Sequence, residues 1–278
     1  MQATLAFEHT KTPRAVDRGG ERYALTPAQM HEAVKRLMRE YPAPGTSRFV
    51  AYRIRGTNPY SNIARSIECE VFRRFFGNTP EDMHLSYGAY EDHSHFLLAV
   101  DREAQQPAGT LRVIESSARG LKSLNDVSEE PLQLSLQTVL DYHHIDSLER
   151  CWDVGTLAVR KPYRGEDNAH FVGTMLYGLF HAAACNANID HAVAILDGHA
   201  YRQLTEMLAI PFEAIAGTPP FEYLGAKGTR AAYLKIRKVV PTVEKHMDRM
   251  DSVTRTSMRP FLARVIYAEG LPELIDVR

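Results

Sequence analysis

With 278 residues, 44% of them hydrophobic and 24% charged, the chain has the size and composition of a globular enzyme that can build a core without disulfides. A formal net charge of -1 offers no general attraction to nucleic acid or to an anionic membrane surface, and no run of about 18 apolar residues is present to cross a bilayer. Cys69, Cys151 and Cys185 lack zinc or disulfide spacing and read as buried thiols; with no basic-then-apolar leader, the sequence predicts a cytoplasmic protein.

Residues 1 to about 24 are polar, carry Pro13, Gly19 and Gly20, and show no apolar period, so they read as a mobile or docking arm. Thr26 before Pro27 is an N-cap with proline at the first helical position, and Met30, Val34, Leu37 and Met38 share the face that follows. The stretch 41–45, with Pro42, Pro44 and Gly45, ends that helix, and 49–54 reads as a strand. Ile63, Ile67, Val71, Phe72 and Phe75 recur at three- and four-residue steps, the pattern of an amphipathic helix packed on a sheet. Gly77-Asn78-Thr79-Pro80 reads as a turn, and the apolar runs 96–100 and 110–114 as a hairpin with its connection at 105–109.

Residues 116–150 are a long polar insertion with one helical patch, 132–142, of the kind that lines a binding site. A strand at 152–159, a helix over 168–187, a strand at 191–196, a helix over 200–208 and strands near 212–216 and 231–237 follow. Val243, Met247, Met250, Val253 and Thr254 predict one further helix, and Phe261, Val265 and Ile266 another. The layout is an N-terminal arm and helix over 1–47, a core over 48–238 of mixed α/β (α+β) order, and a helical extension over 239–278.

The most informative segment runs from Trp152-Asp153-Val154 through Val159, Arg160, Lys161 and Pro162 to Arg164-Gly165-Glu166-Asp167-Asn168-Ala169, a strand that breaks at Pro162 and hands over to a long helix. It resembles the core motif of GNAT acyltransferases, in which a basic-x-x-Gly-x-Gly/Ala loop presents helix N-terminal amides to the pyrophosphate of coenzyme A. The resemblance implies a mixed, mostly antiparallel central sheet flanked by helices. Arg164 matches the opening basic residue and Ala169 the closing small one, with Gly165 between them, while Asp167 replaces the middle glycine and Glu166 adds a second acid. These acids either repel a pyrophosphate or cap the helix. Further on, Thr205 stands where the family carries a general-acid tyrosine, which makes Tyr201, one turn earlier, the candidate for that role.

Over about 66–238 the order of motifs is similar to that of N-acyl amino acid synthases and acyl-homoserine-lactone synthases. Val71-Phe72-Arg73-Arg74, Asp92 before a strand, Gly109-Thr110-Leu111-Arg112, the long insertion and Trp152-Asp153 occur in the matching sequence. Thr156 stands near an arginine of the lactone synthases, so an amino acid or another amine is implied as acceptor rather than S-adenosylmethionine. These relatives take the acyl group from acyl carrier protein or coenzyme A, and the acidic carrier would meet Arg160, Lys161 and Arg164.

Amide formation needs a deprotonated amine, a polarised thioester carbonyl and close approach. Asp153 is the candidate base, the amides of Leu157 or Val159 the oxyanion donors, and Arg112 the partner of an acceptor carboxylate, with Arg73, Arg74, Asp92 and Thr156 shaping the acceptor site. Each has a plainer reading as a cap, a solvated charge or a surface ion pair. Met175, Leu176, Leu179, Phe180 and Ala183 either line an acyl tunnel or are core. His93 and His95 point the same way along a strand without a third ligand, so no metal centre is expected. Two alternatives remain: an acetyl-CoA-dependent small-molecule N-acetyltransferase, and a non-catalytic GNAT-like acyl-binding module.

Overall fold

The computed structural model describes residues 18–164 and 169–278. The first helix, α1 (Pro27–Glu40), starts where Thr26 and Gln29 exchange side-chain and backbone hydrogen bonds in a capping box, and it buries Met30, Val34 and Leu37. After β1 (Phe49–Arg55), α2 (Ser61–Phe76) ends at Gly77, whose φ of 77° favours a residue without a Cβ. The segment read as a simple turn opens a further helix, α3 (Pro80–Tyr87), because Thr79 and Asp82 form a second capping box.

β2 (Ser94–Asp101) and β3 (Gln106–Glu115) form the expected hairpin, but its connection lies at 102–105 rather than 105–109. The Asp101 carboxylate accepts from the Glu103 and Ala104 amides at 3.0 and 3.1 Å, a side-chain turn that overrides the Pro107 and Gly109 signal. Pro107 sits inside β3 where the register shifts at Ala99/Val100, a place that spares its missing N–H.

The 116–150 insertion holds two helices, α4 (Lys122–Ser128) and α5 (Leu136–His143). β4 (Cys151–Val159), α6 (Ala169–Asn186) and β5 (His191–Leu196) form a parallel crossover, and α7 (Gly198–Arg202) runs into a π turn at Gln203–Met207. β6 (Glu213–Ala214), β7 (Phe221–Tyr223) and β8 (Ala226–Lys235) follow. The helix expected through Thr254 divides into α8 (Val239–Arg249) and α9 (Ser252–Tyr267), because Asp251 accepts from the Val253 and Thr254 amides and starts a new one. The extension then adds a strand that the sequence did not announce, β9 (Leu274–Val277), beside β1.

Among the described residues the strands form one nine-stranded sheet in the order β6-β8-β5-β4-β3-β2-β1-β9, with β7 on β8. The β4–β5 and β1–β9 neighbours are parallel and the others antiparallel, so the sheet is mixed, mostly antiparallel and flanked by helices as expected. α6, α8 and α9 cover one face over Leu111, Trp152, Leu176, Leu234 and Val265, while α1 and α2 cover the other over Tyr52, Ile63, Ile67 and Leu98. None of the described helices is long and apolar enough to cross a membrane.

Candidate active site

β4 pairs with β3 along its length, yet its ladder with β5 ends at Val154 opposite Ala194. β5 continues to Leu196 against β8 while β4 leaves it, so the sheet splits in its middle. Gly155 is the extra residue at a bulge, since Arg112 faces Thr156 and Val113 faces Val154, and its carbonyl accepts from the Tyr87 hydroxyl at 3.0 Å. Strand amides alternate in direction. The Arg160 amide donates to the Ala108 carbonyl of β3, so the amides of Leu157 and Val159 point away from β3 into the split. The Val159 carbonyl on that side accepts from Arg164 Nε.

Three hollows share walls along this free edge. The outermost is a cleft of about 880 Å³ between Phe72 and Phe75 of α2, Tyr177 of α6 and Phe261 of α9, with Arg164, Arg202 and Lys227 at its rim. Inside lies an apolar chamber of about 130 Å³ bounded by Leu111, Val154, Phe180, Ala194, Leu234 and Val265. A polar side chamber of about 70 Å³ is lined by Tyr87, Lys122, Ser123, Tyr223, Thr229 and Asp197. Asp197 borders all three.

The residues picked out from sequence fall into two groups. Leu157, Val159 and Arg164 lie on the split, and Arg164 stacks 4.8 Å from the Phe75 ring centre. Burial, then the neighbouring Arg74, lowers the pKa of Arg164. Arg73 and Arg74 are exposed at the end of α2. Thr156 borders the inner chamber, but its hydroxyl is committed to Glu68. Ala169 begins α6, and Gly165, with Glu166 and Asp167, lies outside the described residues.

The structure places four of the expected residues away from the walls of the three hollows. Arg112 is fully buried and already holds Glu68 through two bonds of 3.0 and 2.6 Å, with Glu91 and Tyr23 completing its shell, so no fork is left for a substrate carboxylate. Asp92 is exposed, and the buried carboxylate at this turn is its neighbour Glu91, bonded to Arg65, Arg112 and Tyr23. Arg160 is held by Glu70 at 2.9 Å rather than presented to a partner. Tyr201 donates to the Phe212 carbonyl at 3.3 Å beneath Arg230, away from the walls of the three hollows.

Asp153 also stands behind the wall. It is fully buried, and both its oxygens are occupied by Ser123, through the amide at 2.5 Å and the hydroxyl at 2.7 Å. Burial outweighs these bonds and pushes its carboxyl up to about 6 from an ordinary 3.8. The folded protein therefore holds an extra proton between about pH 4 and pH 6, and stability falls as pH rises through that window. Asp153→Asn removes this loss, so the variant should gain about 3 kcal/mol relative to the parent between pH 4 and pH 7, as read from urea melts at both pH values.

Two groups that the sequence reading passed over do face the split. Asp197 follows β5, and its Oδ1 accepts from the amides of His199 and Ala200 at 2.8 and 2.9 Å, which orients the carboxylate without sealing it. Tyr177, on α6, borders both the outer cleft and the inner chamber. Burial, reinforced by Asp197, pushes its phenol well above the ordinary value, so it stays protonated. The single tyrosine of a largely apolar helix was the signal for Tyr177; Asp197 resembled an ordinary cap. Among the described residues no group of His, Cys, Asp or Glu is placed to hold a metal ion.

No protein-family model and no curated protein matches this sequence. Solved structures do resemble the fold. FeeM, an N-acyl amino acid synthase from uncultured soil microbes, superposes with a TM-score of 0.52 at 14% identity, over 71% of this chain and 96% of its own. BjaI, a coenzyme A-dependent acyl-homoserine lactone synthase solved with SAM and isopentyl-CoA, gives 0.46 at 14% identity over 82% and 93%. A putative N-acetyltransferase from Lactobacillus plantarum gives 0.46 at 14% identity over 68% and 99%. At such identities a likeness speaks for the fold alone, and the first of them shows that the chain shares the fold of that synthase.

Proposed function

We propose that this protein is an N-acyltransferase that moves an acyl group from a pantetheine thioester, carried by acyl carrier protein or coenzyme A, to the amine of an amino acid or similar small molecule. The observation that carries the reading is the parting of β4 from β5 beyond Val154, which leaves the Leu157 and Val159 amides facing a slot with an apolar chamber inside and arginines at its mouth. The activity named for FeeM supports it only through the shared fold.

In this reading the pantetheine arm enters the outer cleft past Arg164, Arg202 and Lys227, whose charge suits an acidic carrier surface or nucleotide phosphates. The loop sequence favours the carrier, since Asp167 stands in place of a pyrophosphate-binding glycine. The acyl tail occupies the inner chamber, and the thioester oxygen lies against the Leu157 or Val159 amide, positioned to meet the charge that develops in the transition state. The amine waits in the side chamber. As its nitrogen attacks the carbonyl carbon, its proton passes to Asp197, the C–N bond forms, the C–S bond breaks, and the departing sulfur takes a proton from Tyr177, which solvent restores.

The direct test supplies acyl carrier protein and coenzyme A thioesters together with pools of amino acids and simple amines, and looks for amides by mass spectrometry alongside free thiol. Amide and thiol should rise together; thiol release without any amide would sink the assignment. Tyr177→Phe should lower kcat about 10- to 100-fold with KM for the donor little changed, because the ring still fills the wall while the proton donor is lost.

A further inference from the structure

The apolar chamber also bears on which acyl group is carried, an inference that rests on the acyltransferase reading above. Its walls come from α2, β3, β4, β5, α6, α7 and the 204–212 segment, and Leu234, Val239 and Val265 add β8 and the two C-terminal helices α8 and α9. These three side chains are 3%, 2% and 2% exposed, so apart from the chamber they face close packing that leaves them little room to swing aside. The titratable groups on the wall are Tyr177 and Asp197 at the slot and His181, whose Nε2 lies 3.7 Å from Cys185 Sγ. Burial lowers the His181 pKa, which favours its neutral imidazole.

The chamber measures about 130 Å³. A dry cavity of about 150 Å³ lined by aliphatic and aromatic side chains holds one benzene, six carbon atoms. An acetyl methyl would leave most of this space empty and forfeit its contacts, whereas a chain of about twelve carbons needs roughly twice the room. We infer that the chamber accepts an acyl group of about five or six carbons, and that through Val239 and Val265 the C-terminal extension shares in setting this limit.

The test uses acyl-pantetheine thioesters from acetyl to dodecanoyl, which present the arm common to both donors, with binding measured by titration calorimetry on the full chain. Each methylene up to hexanoyl should raise affinity about two- to fourfold, with a loss of tenfold or more by decanoyl. Val265→Ala and Val239→Ala should each move the optimum one or two carbons longer, with melting curves that remain cooperative showing that the fold is kept. Val265→Phe should weaken hexanoyl at least tenfold and spare acetyl. Equal affinity for acetyl and hexanoyl, an affinity still climbing at dodecanoyl, or an optimum unmoved in both alanine variants overturns the size limit and leaves acyl transfer standing. Failure to bind any thioester of the series overturns both.

Discussion

Asp197→Asn should reduce amide formation by about 10²- to 10⁴-fold while the protein melts as before. The substitution keeps the side chain's shape and its capping acceptor, since asparagine serves an N-cap as well as aspartate, so the bonds from the His199 and Ala200 amides persist. What disappears is a carboxylate that can take a proton from the attacking amine. Asp153→Asn provides the contrast: that carboxylate is enclosed by Ser123, and its loss should alter kcat less than tenfold. Steady-state thiol release for the two variants decides the matter, and a larger loss in Asp153→Asn than in Asp197→Asn would return the base to β4.

The second large effect concerns stability. Glu68→Ala should cost about 3–5 kcal/mol, read as a lowered urea midpoint, because it leaves Arg112 charged in the interior without its two-pronged partner. Arg65, Arg112, Glu68 and Glu91 bring two positive and two negative charges together between α2 and the sheet, nearly out of contact with water. Burial alone would raise the Glu91 pKa, but Arg112 and Arg65 hold it below the ordinary carboxylate range. Replacing Glu68 and Arg112 together, by Gln and Met, should cost less than the two single losses added, as expected for groups that neutralise one another. Additive costs would show that the charges act separately.

What the sequence disclosed follows from how local each signal is. Thr26-Pro27 started α1 as expected, and the crossover from β4 through α6 to β5 was legible because periodic apolar residues on a long helix admit few readings. The Thr79-Pro80-x-Asp82 signature was equally local, and was outweighed by the glycine and proline around it. Site residues were harder, because burial and pairing depend on distant segments. Arg112 reads as a substrate ligand until Glu68, 44 positions earlier, is found opposite it. Glu68 itself lies on the apolar stripe of α2 between Ile67 and Val71, a misplaced charge whose partner no spacing rule names. Asp197 shows the converse: its capping bonds look purely structural until the parted strands bring three cavities to its free oxygen.

The two halves of the sheet are joined by only the four rungs from Cys151 opposite His191 to Val154 opposite Ala194. So short a seam resists bending weakly, and the job of holding the halves at a set spacing passes to the helices laid across it. α6 and α9 approach so closely that a methyl group on Gly178 would overlap the Arg264 carbonyl. That contact works as a clasp: loosening it should let the jaws drift and change how firmly a donor is gripped, since Tyr177 and Val265, beside the two touching residues, are walls of the slot.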